Sequence, residues 1–260
     1  MKQYACQVLQ QEQINYDIFR LTFLCPEIAE TARPGQFVHL RVSSGVDPLL
    51  RRPFSIHQVH DDGSIRLLYR VVGRGTTIIK DWQPGRTLDA LGPLGNQFSI
   101  DPSVEHAIII AGGMGSAPVF FLIDQLKKHC SSITLLWGTR TASEIFDISW
   151  LEERGVDVRI ATEDGSLGER GYVTGLLEKM ISQSVTGKMR GYICGPERMI
   201  AAVQRLTSSC SFPWQASLEG RMACGVGVCQ GCPIQMTSGV VKMVCSDGPV
   251  FPLQEIVFED

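Results

Sequence analysis

Four of the nine cysteines lie close together near the carboxyl end of the chain. They are Cys224, Cys229, Cys232 and Cys245, and the spacing C-x4-C-x2-C with a more distant fourth cysteine is typical of plant-type [2Fe–2S] proteins. Two irons and two sulfides need four thiolates that converge on one compact object, and the glycines between these cysteines let a loop wrap tightly around it. The pattern therefore predicts a [2Fe–2S] cluster with these four ligands.

A structural zinc site is the alternative for the same four cysteines. Zinc sites usually combine two closely spaced ligand pairs, whereas this segment has one C-x2-C pair, an x4 neighbour and a distant fourth cysteine. A Rieske centre needs histidine ligands, and all the histidines precede the segment: His39, His57, His60, His106 and His129. The other five cysteines are scattered, so we expect small buried side chains rather than a disulfide framework.

A glycine-rich segment in the middle of the chain could hold the pyrophosphate of a dinucleotide. Gly112, Gly113 and Gly115 follow a short apolar run that predicts a strand, and Pro118 begins a predicted helix. In such a turn, glycines let the backbone approach a phosphate at the helix N-terminus. Pro118 replaces the last glycine of the full G-x-G-x-x-G fingerprint, so a tight turn without a ligand is the alternative.

Two further segments follow predicted strands at the sheet edge where ligands bind in α/β proteins. Glu163 or Asp164 could accept a hydrogen bond from a ribose hydroxyl, which would favour NAD over NADP, or could form a solvated acidic turn. Cys194 and Gly195 stand between a strand and a helix. The Cys194 thiol could touch a nicotinamide ring, or it could be a small buried side chain.

The elements that must position these residues change in character along the chain. Residues 1–100 combine short alternating strands with frequent turns, which predicts an antiparallel barrel or sandwich. Residues 101–212 alternate strand, turn and helix, which predicts a Rossmann-like α/β domain with a parallel sheet. Residues 213–260 are rich in cysteine and glycine, and we expect a small iron–sulfur domain there.

Composition excludes several classes of function. The chain has 260 residues, of which 44% are hydrophobic and 20% charged, so we expect a globular protein rather than a disordered one. Its net charge of −3 argues against binding to nucleic acid or anionic lipid through charge. No apolar run reaches the length of a membrane helix, and the first residues lack the apolar stretch of a secretory signal. We therefore expect a cytoplasmic protein without membrane insertion.

Four motifs, taken in order, resemble a known family. Residues 52–55 (RPFS), 112–118 (GGMGSAP) and 194–199 (CGPERM) resemble the ferredoxin–NADP reductase superfamily. Together with 217–224 (SLEGRMAC) and the cysteine cluster, they make the chain similar, over essentially its full length, to the electron-transfer subunits of class 1B dihydroorotate dehydrogenases. Segment 52–55 alone would indicate only a strand edge with a positive charge.

The resemblance implies a multidomain fold and a set of cofactor contacts. It implies an N-terminal antiparallel Greek-key β-barrel that binds FAD, a central NAD-binding α/β domain and a C-terminal [2Fe–2S] domain. The isolated reductases end in an aromatic residue over the flavin, whereas this chain continues into the cysteine segment, so the approach of the nicotinamide stays open. The FAD contacts implied are Arg52, Pro53, Phe54, Ser55, Leu68, Tyr69, Arg70, Gly75 and Thr76.

The resemblance also implies an electron-transfer function. The chain would carry electrons between NAD(H) and a partner FMN-containing catalytic subunit that interconverts dihydroorotate and orotate in pyrimidine (UMP) synthesis, in a heterotetramer with two copies of each. We assign no catalytic residue, because hydride transfer needs no acid–base pair and none is evident. The alternatives are a related reductase subunit of a sulfide dehydrogenase or hydrogenase type, and a zinc-stapled nucleotide-binding regulator without a redox role.

Overall fold

The first part of the chain forms a closed antiparallel barrel in this computed structural model, which describes residues 2–182 and 187–258. Its strands are β1 (Lys2–Gln13), β2 (Ile18–Leu24), β3 (Phe37–Arg41), β4 (Arg52–Val59), β5 (Ser64–Arg70) and β6 (Thr87–Leu94). They follow the order β1-β2-β5-β4-β3-β6, so that β2 pairs with β5 and β3 with β6, as in a Greek key. Strand β6 alternates buried with more exposed side chains, so one face fills the barrel.

Two short helices connect barrel strands. Helix α1 (Pro26–Thr31) follows β2, and helix α2 (Arg74–Lys80) follows β5. The Thr76 hydroxyl accepts hydrogen bonds from the backbone N–H groups of Val72 and Gly73, at 3.0 and 3.2 Å. These bonds satisfy donors at the start of α2 and fix the helix beside the end of β5.

The central domain is a sheet covered by helices, and in the described residues it has seven strands. Its strands are β7 (His106–Gly112), β8 (Ser132–Thr139), β9 (Asp157–Thr162), β10 (Glu169–Arg170), β11 (Met189–Cys194), β12 (Trp214–Ser217) and, from the cysteine-rich segment, β15 (Val250–Pro252). They lie in the order β10-β9-β8-β7-β11-β12-β15, and every neighbouring pair is parallel except β12 with β15. Strand β7 (sequence HAIIIAG) is almost completely buried, as parallel strands covered on both faces must be. The helices of this domain are α3 (Ser116–Leu126), α4 (Ile148–Glu153), α5 (Val173–Ile181) and α6 (Glu197–Leu206).

The cysteine-rich segment is packed into both of these parts. It contains a two-stranded hairpin, β13 (Pro233–Gln235) with β14 (Val241–Met243), and strand β15 (Val250–Pro252), which pairs antiparallel with β12. Phe37 of the barrel, Ile193 of the sheet and the buried Cys232 and Cys245 belong to one hydrophobic core. The expected fold class, barrel, parallel sheet and cysteine-bearing C-terminal region, is confirmed.

The sequence had not indicated that β12 and β15 extend the central sheet. They are only three or four residues long and carry no helical or strand periodicity of their own. Trp214 and Phe251 are buried in the same core as the sheet, which holds these short strands in place. None of the helices in the described parts of the chain has the length and hydropathy needed to cross a membrane.

Candidate cofactor sites

A cavity of about 350 Å³, here called the barrel pocket, opens between the barrel, the central sheet and the cysteine-rich segment. Most of the residues that the resemblance assigns to FAD line it. They come from the adjacent antiparallel strands β4 and β5 and from the start of α2, so the fold brings together segments about fifteen residues apart. The predicted residues that line the pocket are Arg52, Pro53, Phe54, Ser55, Leu68, Tyr69, Arg70, Thr76 and also Cys194.

Local packing fixes the side chains on the barrel side of this pocket. The Tyr69 ring meets Phe54 edge-on, with centroids 5.6 Å apart, and the Tyr69 hydroxyl accepts a 2.5 Å hydrogen bond from Gln11 Nε2. Burial raises the pKa of Tyr69, so the phenol is neutral at physiological pH. Gly75 does not line the pocket, but a Cβ there would lie 2.9 Å from Arg52 Nε. Glycine at this position therefore lets α2 approach the Arg52 guanidinium.

The far wall of the barrel pocket comes from residues that the sequence reasoning missed. Met114 follows β7, and a stretch after β12 supplies Leu218, Glu219, Gly220 and Met222. Desolvation on the protein side raises the pKa of the Glu219 carboxyl, although the residue as a whole is exposed. The motif 217–224 was quoted only as part of a family resemblance, and nothing in the sequence places it against residues about 150 positions earlier.

A second cavity, of about 460 Å³ and here called the sheet pocket, lies at the carboxyl edge of the parallel sheet. Gly112, Gly113 and Glu163, three of the residues predicted to hold a dinucleotide, line it together with Arg140 and Arg198. Gly113 has φ +51°, a conformation that glycine adopts freely. This is the edge where open α/β sheets bind ligands.

Other predicted dinucleotide residues lie outside the sheet pocket. A Cβ at Gly115 would lie 2.3 Å from the Cys194 carbonyl oxygen, and one at Gly195 would lie 2.4 Å from Met199 Cε. These two glycines therefore allow the turns after β7 and β11 to touch. Asp164 accepts hydrogen bonds from the Ser166 N–H and hydroxyl, at 2.9 and 2.6 Å, which lower its pKa. Its carboxylate thus caps its own turn.

The two pockets share a wall. Gly113 lines the sheet pocket and its neighbour Met114 lines the barrel pocket. In the same way Cys194 lines the barrel pocket, while Pro196 lines the sheet pocket. Cys194 is 3% exposed, and burial raises the pKa of its thiol, so it faces the barrel pocket as a neutral group.

The cysteine segment forms a loop whose backbone N–H groups point at sulfur. The N–H of Gly227 donates to Cys245 Sγ at 3.1 Å, and the N–H of Cys245 donates to Cys232 Sγ at 3.4 Å. Donation from the N–H groups of Cys229 and Val226, each at 3.4 Å, lowers the pKa of the Cys224 thiol to about 6. Such bonds stabilise thiolates, the form that binds iron.

The four thiols also lie near one another. Burial, the adjacent Cys232 thiol and the charge of Cys224 raise the pKa of Cys245 to about 12, and the Cys229 side chain helps to lower the pKa of Cys224. Cys229 is exposed, whereas Cys232 and Cys245 are buried. Cysteine thiols with N–H donors around them have the chemistry of iron–sulfur cluster ligands. Among the described residues, however, no three cysteine, histidine or acidic side chains are arranged so that they could hold a single metal ion.

Comparisons with known proteins match three successive parts of the chain. Residues 5–98 match the family model of an oxidoreductase FAD-binding domain, 109–205 that of an oxidoreductase NAD-binding domain, and 219–257 that of the iron–sulfur cluster binding domain of dihydroorotate dehydrogenase B. The last range contains all four clustered cysteines. Fold and sites thus define an oxidoreductase subunit with FAD-binding, NAD-binding and iron–sulfur domains.

Relatives that match over the whole chain identify the family within this class of oxidoreductase subunit. The chain is 37% identical to the dihydroorotate dehydrogenase B (NAD(+)) electron transfer subunit of Desulforamulus reducens, over 99% of both chains. It is 38% identical to that of Geobacillus sp., again over 99% of both. The chain belongs to the family of dihydroorotate dehydrogenase B electron transfer subunits.

A solved structure supports the same fold. The structure described as "Insights into flavin-based electron bifurcation via the NADH-dependent reduced ferredoxin-NADP oxidoreductase structure" has a TM-score of 0.86 and 26% identity, covering 98% of this chain and 90% of the other. The predicted family, the three cofactors and the class of oxidoreductase subunit are therefore confirmed. The relatives are named as electron transfer subunits, which implies that they work with another subunit.

Proposed function

We propose that this chain carries electrons between NAD(H), bound in the sheet pocket, and a partner FMN-containing dihydroorotate dehydrogenase subunit, by way of FAD and a [2Fe–2S] cluster. The proposal places it in the cytoplasm, in pyrimidine (UMP) synthesis, in a heterotetramer with two copies of each subunit. It divides the chain into 1–100 for FAD, 101–212 for NAD and 213–260 for the cluster. The family membership and the three matched domains support it.

The order of the sites is the observation that carries the proposal. The barrel pocket shares one wall with the sheet pocket, at Met114 and Cys194. The lining of the barrel pocket also includes Met222, two residues before Cys224 of the cysteine segment. A flavin exchanges two electrons with a nicotinamide and one with an iron–sulfur cluster, so a flavin site belongs between the other two sites.

The residues lining the sites have distinct roles in this proposal. Arg52 offsets the charge of the FAD pyrophosphate through its guanidinium, which donates hydrogen bonds in pairs. Gly112 and Gly113 bring the backbone close to the dinucleotide phosphates. Glu163, which lines the sheet pocket, accepts from a ribose hydroxyl of NAD.

The other predicted site residues are assigned in three groups. Seven residues shape the FAD site: Pro53, Phe54, Ser55, Leu68, Tyr69, Arg70 and Thr76. Gly75 leaves room for the Arg52 side chain. Cys194 lies at the wall shared by the two pockets, where a bound nicotinamide would meet the flavin. Asp164, Gly115 and Gly195 support the turns that carry the dinucleotide contacts. Cys224, Cys229, Cys232 and Cys245 hold the cluster.

The test uses the full chain, purified without oxygen, alone and with its partner. NADH should bleach the flavin absorption and produce the EPR signal of a reduced [2Fe–2S] cluster. With the partner subunit added, dihydroorotate should reduce NAD⁺. Protein that contains zinc in place of iron would refute the proposal, and reduction of NAD⁺ by sulfide or hydrogen with another partner would favour the alternative reductase class.

A further inference from the structure

One buried carboxylate, that of Glu144, lies between the two cofactor pockets. Its Oε1 accepts a hydrogen bond from Arg70 Nη2 at 2.8 Å and from Arg140 Nη2 and Nε at 2.5 and 3.0 Å. Arg70 lines the barrel pocket, and Arg140 lines the sheet pocket. The Glu144 side chain is 3% exposed, whereas the Arg140 side chain is 59% exposed, so the carboxylate is shielded from solvent while the Arg140 guanidinium stays partly solvated. A single oxygen is therefore shared by one arginine from each pocket.

The charges around Glu144 are balanced. Arg70 also forms an ion pair with Asp17, with Nε and Oδ2 3.1 Å apart, so two guanidinium groups face two carboxylates. Burial raises the pKa of Glu144, but the hydrogen bonds from Arg140 and the charge of Arg70 outweigh it and lower the pKa. The carboxylate is therefore ionised at neutral pH, which a buried acid achieves only with such partners.

These contacts limit what Arg140 can do in the sheet pocket. A free arginine near the adenosine ribose is the group that accommodates the 2′-phosphate of NADP. Arg140 has its Nε and one Nη already engaged by Glu144, and its positive charge is neutralised at that short distance. The carboxylate of Glu163, which follows the neighbouring strand β9, disfavours a 2′-phosphate on the ribose that it is proposed to bind.

We propose that Glu144 is a positioning residue for both pockets, which holds Arg70 at the flavin and keeps Arg140 from binding a 2′-phosphate. The inference rests on the proposed function only in taking the barrel pocket as the FAD site and the sheet pocket as the dinucleotide site. It makes the choice of NAD over NADP depend on a residue that lines neither pocket.

A second ion pair between the barrel and the central domain offers a matched control. Arg20 of β2 forms an ion pair with Asp147, three residues after Glu144, and the side chain of Arg20 is 11% exposed. Neither residue lines the barrel pocket or the sheet pocket. Asp147 has φ +52°, a conformation that asparagine tolerates well, so Asp147→Asn removes the charge without a backbone penalty.

The experiment compares Glu144→Gln with Asp147→Asn in the full chain loaded with FAD and cluster. NAD⁺ and NADP⁺ are titrated into oxidised protein by calorimetry, and FAD release is followed by fluorescence. For Glu144→Gln we expect the ratio of the NADP⁺ to the NAD⁺ affinity to rise about tenfold, and FAD to dissociate about tenfold faster, from the loss of one charged hydrogen bond at each pocket. Adding Arg140→Gln should cancel the change in the affinity ratio and leave the FAD effect.

The outcomes separate this inference from the proposed function. An affinity ratio that Glu144→Gln leaves unchanged, or that Asp147→Asn shifts equally, would overturn the inference. If Glu144→Gln fails to accumulate, Glu144→Asp replaces it in the experiment. Aspartate keeps the charge but is too short to reach both Arg70 and Arg140. An unchanged ratio of NADP⁺ to NAD⁺ affinity in Glu144→Asp would also overturn the inference. Wild-type protein that bound neither FAD nor NAD⁺ would refute the proposed function and this inference with it.

Discussion

Replacing Gly225 with alanine should loosen the loop that carries the cluster cysteines. Gly225 directly follows Cys224 and has φ +72°, and a Cβ there would lie 2.5 Å from Nδ1 of His39. His39 is a fully buried residue of β3, the barrel strand that pairs with the Arg52–Val59 strand. The added methyl group can be accommodated only if the imidazole or the loop moves.

The size of the effect follows from two separate costs. Alanine in the left-handed region costs about 1–2 kcal/mol more than glycine. Forcing a methyl group into a packed interior adds about 1–3 kcal/mol. Gly225→Ala should therefore favour opening of the loop by about 2–5 kcal/mol. The part due to the contact with His39 corresponds to a factor of about 5 to 150 in the opening equilibrium.

Gly239 provides the matched control. It lies in the turn of the β13–β14 hairpin with φ +82°, and a Cβ there would meet no atom within 4 Å. Gly239→Ala therefore carries the conformational cost alone. Amide hydrogen exchange of peptides covering 224–232 and 236–240 measures local opening in each variant. Iron per chain after anaerobic desalting reports whether the cluster is lost, and FAD content reports whether the barrel stays intact.

The result that would refute this reasoning is equal acceleration of exchange at the two sites. Equal acceleration would mean that the contact between Gly225 and His39 contributes nothing to loop stability. Loss of FAD together with iron in Gly225→Ala would instead show that the barrel itself had unfolded. Iron loss with FAD retained is the expected pattern.

Three other predictions concern single residues. Cys229→Ser should abolish electron delivery to the partner while NADH still reduces artificial two-electron acceptors, and equal loss of both activities would make the cluster structural. Arg52→Ala should weaken FAD retention, and unchanged FAD after gel filtration would contradict the assignment. Burial lowers the pKa of His57 from its ordinary value of 6.5 to about 4. Between these two pH values the His57 imidazole takes up a proton only in the unfolded chain, so the free energy of unfolding falls as the pH falls. His57→Gln should therefore remove about 1.6 kcal/mol of the stability loss between pH 6.5 and 5, measured by chemical unfolding, and parallel pH curves for the two proteins would contradict this.

The iron–sulfur domain could be predicted from the cysteine motif because the spacing of the motif is local. Cys224, Cys229 and Cys232 lie within nine residues, and Gly225 and Gly227 between them adopt the positive φ that a tight loop requires. A ligand set held by one loop leaves its pattern directly in the sequence. The same holds for Gly113, whose turn between β7 and α3 is read from adjacent residues.

The sequence patterns identified binding residues less specifically where the turns after β7 and β11 touch each other. Gly115 and Gly195 fit a phosphate-binding pattern, yet the contacts between the turns after β7 and β11 already require residues without side chains there. Glu163 and Asp164 were equivalent candidates in the sequence. The hydrogen bonds of Asp164 to Ser166 and the position of Glu163 in the sheet pocket distinguish them.

The sequence by itself determined the class of each domain and the residues that lie in continuous motifs, because periodicity, glycine turns and cysteine spacing are local properties. Only the tertiary structure decided that β12 and β15 extend the central sheet, that Met222 closes the barrel pocket, and that Glu144 joins Arg70 to Arg140. These contacts connect residues that are far apart along the chain. Packing brings them together, and no local pattern encodes which distant side chains will share a cavity or a charge.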